Sequence, residues 1–101
     1  MADAVVTLHA GEQGVFEELI TGGQALQVVV EDGDYQNLQV IHHDGDRPLY
    51  VGLNRQLSPR DPEARIVLPG TWLIVTTGES AGQPSLWLVS ASDVIASVVR
   101  T

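Results

Sequence analysis

Leu38-Gln-Val-Ile-His-His-Asp-Gly-Asp-Arg-Pro-Leu-Tyr-Val-Gly-Leu53 is the most informative part of this chain. It reads as two β-strands around a turn. On the first strand, Tyr35 to His42, Leu38 and Val40 point one way and Ile41 the other, because successive strand side chains alternate between faces. His43 to Arg47 forms the turn, and Asp44-Gly45 supplies the residue pair that tolerates the backbone angles of a tight hairpin. Pro48 lacks an amide donor and so fits the start of a strand. Leu49, Val51 and Leu53 then share one face, with Tyr50 and Gly52 on the opposite one.

The same pattern extends in both directions. Ala4-Val-Val-Thr-Leu8 reads as a first strand. Val15-Phe-Glu-Glu-Leu-Ile20 fits either a helical turn or a strand, since six residues are too few for periodicity to decide. Gln24 to Val30 is a strand with Leu26, Val28 and Val30 on one face, and Glu31-Asp-Gly-Asp34 is a turn signal. Asn54 to Glu63, interrupted by Pro59 and Pro62, is an exposed charged loop. Ala64 to Leu68 resumes the sheet pattern, and Pro69-Gly70 marks a turn. Thr71 to Thr77 is rich in the β-branched and aromatic residues that strands favour, with Trp72 and Ile74 on one face and Leu73 and Val75 on the other. Gly78 to Pro84 reads as a hairpin loop before the strand Ser85 to Ser90. Ser92 or Asp93 is a possible cap for a helix through Val94 to Val99, but the β-branched density there favours a strand. The expected fold is therefore all-β, a compact antiparallel β-sandwich or flattened barrel of about seven to nine short strands, in one domain spanning residues 1–101. Several strands are apolar on both sides, so either they are central or one sheet face meets another subunit.

Composition narrows the classes of partner. The chain is 44 % hydrophobic, enough for a folded core. It has no lysine, and five arginines face thirteen acidic residues for a net charge of −8. Such a surface is poorly suited to neutralising phosphate backbones or anionic lipid, so neither nucleic acid nor membrane is an expected partner. The lack of cysteine removes disulfides, thiolate metal sites and cysteine nucleophiles. No signal-peptide pattern and no apolar run near the length of a membrane helix is visible.

Few side chains group in a way that carries chemistry. His42 and His43 lie beside Asp44 and Asp46, a set of possible metal ligands. Adjacent strand residues point to opposite faces, however, so a plain turn is the preferred reading. Glu31, Asp32 and Asp34 match no complete EF-hand loop and read as an acidic turn. No serine sits in a Gly-x-Ser-x-Gly elbow and no phosphate-binding glycine loop is present. Glu17, Glu18, Asp61 or Glu79 could be nominated as glycosidase carboxylates only arbitrarily. No enzyme activity, metal or cofactor is expected. Trp72, Trp87, Tyr35 and Tyr50 are candidates for core, rim, interface anchor or sugar platform.

Val40-Ile-His-His-Asp-Gly-Asp-Arg-Pro-Leu-Tyr-Val51 also resembles a recurring pattern in small β-sandwich structural proteins of tailed bacteriophages. There a hydrophobic strand ends in an Asn- or His-containing turn with Asp-Gly, and a strand of the form Ile/Leu-Tyr-Val/Phe follows. Leu57-Ser-Pro-Arg-Asp-Pro62 looks like the family's Pro-containing loop, and Ile66-Val-Leu-Pro-Gly70 like its Val-Leu-Pro segment. Thr71 to Thr77 and Ser85 to Val89 look like its closing strands. The likeness covers residues 24–90, and the chain departs from it in the arginine-bearing loop and in Val15–Ile20. The resemblance implies a non-enzymatic virion protein, a capsid decoration or head accessory subunit acting by protein–protein contact. Its partners would be the major capsid protein or other virion subunits, and it would form a homo-oligomer. Tyr50, Arg55, Arg60 and Trp72 are the expected contact residues. The alternatives are a carbohydrate-binding module and a minor tail component.

Overall fold

A computed structural model describes residues 4–9, 11–31, 36–53, 62, 64–77 and 85–101. The loop expected at 54–63, the acidic turn at 32–34 and the loop at 78–84 lie largely or wholly outside these residues. The described chain forms strands β1 (Ala4–Leu8), β2 (Gly14–Ile20), β3 (Leu26–Val30), β4 (Gln36–Asp44) and β5 (Leu49–Leu53). They are followed by β6 (Arg65–Val67), β7 (Trp72–Thr77), β8 (Ser85–Ser90) and β9 (Val94–Arg100). Both ambiguous segments, Val15–Ile20 and Val94–Val99, are strands.

Two sheets stack into a β-sandwich. One has the order β1-β3-β8-β5-β6 and the other β2-β9-β4-β7. All pairs are antiparallel except β1 with β3, which is parallel in the register Ala4 opposite Leu26 to Leu8 opposite Val30. The inner faces carry the core. Leu8, Val28 and Val30 come from one sheet, Leu38, Val40 and Val98 from the other, and all are buried. Each such aliphatic side chain contributes about 1.5–3 kcal/mol by leaving water. The period-two pattern read on β3, β4 and β5 groups Leu26, Leu38, Leu49 and Val51 on faces that turn inward, and all four are buried. On β7 the alternation leaves the choice of face open, and the structure buries Val75 and exposes Ile74.

The connections correct the expected hairpins. β4 lies in the four-stranded sheet and β5 in the other, so the Asp44-Gly45 turn carries the chain across the sandwich instead of joining paired neighbours. β7 and β8 likewise lie in different sheets and do not pair with each other. Among the described strands, only β5 and β6 are consecutive and pair with each other. The turn also begins later than expected, because β4 runs on through His43 to Asp44. It does so across a register shift between His42 and Asp44, opposite Ala96 and Ile95.

This corner has its own fastenings. The His42 ring is buried, and its Nε2 lies 2.8 Å from the Arg47 carbonyl oxygen. That bond places the proton on Nε2. The Ser90 hydroxyl donates to the Pro48 carbonyl at 2.9 Å. Gly45 has φ +137°, and a Cβ there would stand 2.6 Å from Val94 Cγ1. Conformation and space therefore both require glycine.

Candidate functional site

The outer faces of the two sheets differ. On the five-stranded sheet, Trp87 and Tyr50 are half-buried and pack with Ala64 over buried Ala25 and Val89. The sheet covers itself with its own aromatics. Val5 and Ile66 remain exposed there, on the opposite edge strands β1 and β6.

Among the described residues, the outer face of the four-stranded sheet has no such cover. Register places Ile41 beside Trp72 and Ser97, Gln39 beside Ile74 and Val99, and Leu19 beside Ile95. Phe16 reaches the same face from β2, opposite Ser97. Phe16, Leu19 and Trp72 are 57 %, 60 % and 58 % exposed, and Ile74 is 46 % exposed. Half-buried Ile41, Ile95 and Val99 lie on this face with the four, and Gln39 lies among them in register with Ile74 and Val99. At the usual strand spacing the face is about 14 Å wide.

A β-bulge shapes its β2 side. Val15 faces Val98 and Glu18 faces Ala96, so Phe16 and Glu17 share the single position opposite Ser97. Glu17 adopts φ 51°, in the left-handed region that a non-glycine residue enters at a cost of about 1–3 kcal/mol. Its displaced amide donates to the Ser97 Oγ at 2.8 Å. His43 Nε2 lies 2.7 Å from the same oxygen. Ser97 is 1 % exposed. Its hydroxyl is thus enclosed and engaged by the bulge amide and the imidazole together, an arrangement that fixes the bulge and leaves no approach for a substrate.

Beside Leu19 and Ile95 an open cleft of about 520 Å³ continues the face to the β4–β5 corner, where Asp44, Asp46 and Asp93 line it. Two of these carboxylates hold the surrounding turns. Asp93 Oδ1 accepts the Gly22 amide at 2.8 Å, and Asp46 Oδ1 accepts the Ser92 hydroxyl at 3.3 Å. Among the described residues, no three His, Asp or Glu side chains are grouped to hold a metal ion. His42 and His43 diverge as strand alternation requires, one into the core and one onto the outer face.

Of the expected contact residues, Trp72 lies on the apolar face, whereas Tyr50 lies on the opposite side of the sandwich. These two therefore do not share one contact surface. Arg55 and Arg60 fall outside the described residues, as do Asp61 and Glu79. Phe16 and Leu19 did not stand out in the sequence. Their spacing of three puts them on opposite faces of a regular strand, and only the bulge's extra residue brings them to the same side.

No family model matches the chain, and no curated protein matches it. The assignment to bacteriophage virions and capsid decoration is corrected accordingly. The motifs behind it are a turn and short strands that any sandwich of this kind uses, and they do not carry an identity.

Proposed function

We propose that this chain is a non-catalytic β-sandwich subunit that works by protein–protein contact through the outer face of its four-stranded sheet. The observation that carries this reading is the joint exposure of Phe16, Leu19, Trp72 and Ile74 on that single face. Contiguous apolar patches of a few hundred Å² mark interaction surfaces. Covering these four side chains would remove roughly 400–500 Å² of apolar area from water, on the order of 10 kcal/mol before the costs of association. Aromatic anchors such as Trp72 and Phe16 are the side chains that dominate such contacts. A sugar platform would instead surround the Trp72 ring with hydrogen-bonding groups. Here its cross-strand neighbour is Ile41, and Ile74 is next along the same face.

Native mass spectrometry of the protein recovered from its own source tests this. The expected result is a stoichiometric assembly that the paired substitution Phe16→Ser, Leu19→Ser abolishes, with the thermal midpoint shifted by no more than a few degrees. Recovery of the free chain alone would overturn the reading.

A further inference from the structure

The same sheet ends in an edge built to accept another strand, and we propose that its occupant is β7 of a second copy of this chain. The inference deepens the protein-contact reading by naming one partner, but it rests on a separate observation, the direction of the backbone groups. His42 N–H donates to the Thr71 carbonyl at 3.0 Å, and Gly70 N–H donates to the His42 carbonyl at 3.2 Å. This sets the phase of the β4–β7 ladder. In an antiparallel pair, bonded and non-bonded positions alternate. Leu73 and Val75 therefore bond to β4, while the N–H and C=O groups of Trp72, Ile74 and Thr76 point away from it. The other side of β4 agrees: Thr101 N–H donates to the Asn37 carbonyl, so odd-numbered β4 residues serve β9 and even-numbered ones serve β7. Among the described residues, no strand pairs with the outward side of β7.

The edge strands are not equally protected. β2 is blunted by its bulge, by Glu17, and by Glu18 at an inward-facing position, devices that discourage edge pairing. β6 has three residues and carries Arg65. β1 is uncharged but shorter than β7, and Val5 is its only large exposed side chain. β7, Trp-Leu-Ile-Val-Thr-Thr, is the longest edge strand without charge, proline or bulge. The residues that aim backbone groups outward, Trp72, Ile74 and Thr76, are also those with exposed side chains.

Charge favours a copy of this same edge. A net charge of −8 opposes most ways of bringing two copies together. Two-fold pairing about Ile74 brings only uncharged strands face to face, with Trp72 of each copy opposite Thr76 of the other. It leaves the acidic β2 edges roughly 34 Å apart, beyond the ~8 Å screening length at physiological salt. The pairing makes roughly six backbone hydrogen bonds, two per facing pair, and continues the apolar face over eight strands. A single added strand buries less than the ~1,200–2,000 Å² of stable complexes, so the dimer is weak and reversible.

Sedimentation equilibrium of the full chain, from low micromolar to near-millimolar concentration, tests the proposal together with amide hydrogen exchange. The expected result is a monomer–dimer equilibrium in which the Trp72, Ile74 and Thr76 amides gain protection as concentration rises. Ile74→Lys sets two like charges on the axis and should weaken the dimer at least about tenfold without lowering the thermal midpoint. Phe16→Ser, Leu19→Ser should still dimerise, which separates this edge from the face contact proposed above. A monomer at every concentration would overturn the inference. So would a dimer indifferent to Ile74→Lys, or growth beyond the dimer. None of these outcomes bears on a contact made through Phe16 and Leu19.

Discussion

Among the described residues, His9 is the side chain whose ionisation is most clearly set by its neighbours. Its Nδ1 lies 2.9 Å from Glu31 Oε2, on the surface where the end of β1 meets the end of β3. The hydrogen bond to Glu31 and the charge of that carboxylate raise the imidazole pKa above its ordinary value of 6.5, and Glu12 adds to the effect. A raised pKa in the folded state means that the folded protein holds the proton more tightly than the unfolded chain. The stabilising contribution is therefore complete below the unfolded value and fades as pH climbs through the folded one. Both side chains are open to water, so the effect on stability is small and shrinks with added salt. A proton NMR titration of the ring should give a midpoint above 6.5, and Glu31→Gln should bring it down. Equal midpoints in the two proteins would show that the pair does not form in solution.

At the scale of elements, the β2 bulge determines what the apolar face contains. Without the extra residue, Phe16 and Leu19 would lie on opposite sides of the sheet. The bulge is held by the Ser97 hydroxyl, which takes the Glu17 amide and contacts His43. Removing that oxygen with Ser97→Ala takes away the acceptor of a part-buried hydrogen bond, at a cost of about 0.5–1.5 kcal/mol in chemical denaturation. A loss well below that range would mean that the bulge needs no such clasp. These elements also mark where sequence reading succeeds and stops. Strict alternation in β3 and β5 is a local property, so the faces carrying Leu26 and Val51 could be read directly. Both faces of β7 are apolar, and alternation alone does not tell buried Val75 from exposed Ile74. The Ser97–His43 contact spans 54 positions, and no local spacing announces it. The Asp44-Gly45 signal located a sharp turn correctly. It carried no information about which sheet the next strand would join, because that depends on where β8 and β9 lie.

At the scale of the molecule, consecutive described strands lie in different sheets in every case except β5 and β6. Sequential strands usually lie side by side. Here nearly every ladder joins strands distant in sequence, and both sheets depend on strands from the two ends of the chain. β9 sits between β2 and β4, and β8 between β3 and β5. Closing two layers in this way fills the interior with aliphatic side chains and leaves the outer face of the four-stranded sheet apolar and exposed. That face is the surface a protein partner would cover. Hydroxyl-radical footprinting tests this most directly, by comparing the isolated chain with the chain in the assembly recovered from its own source. Labelling of Phe16, Leu19 and Trp72 should fall in the assembly while that of Val5 and Ile66, on the other sheet, stays the same. Unchanged labelling of Phe16, Leu19 and Trp72 would contradict the account.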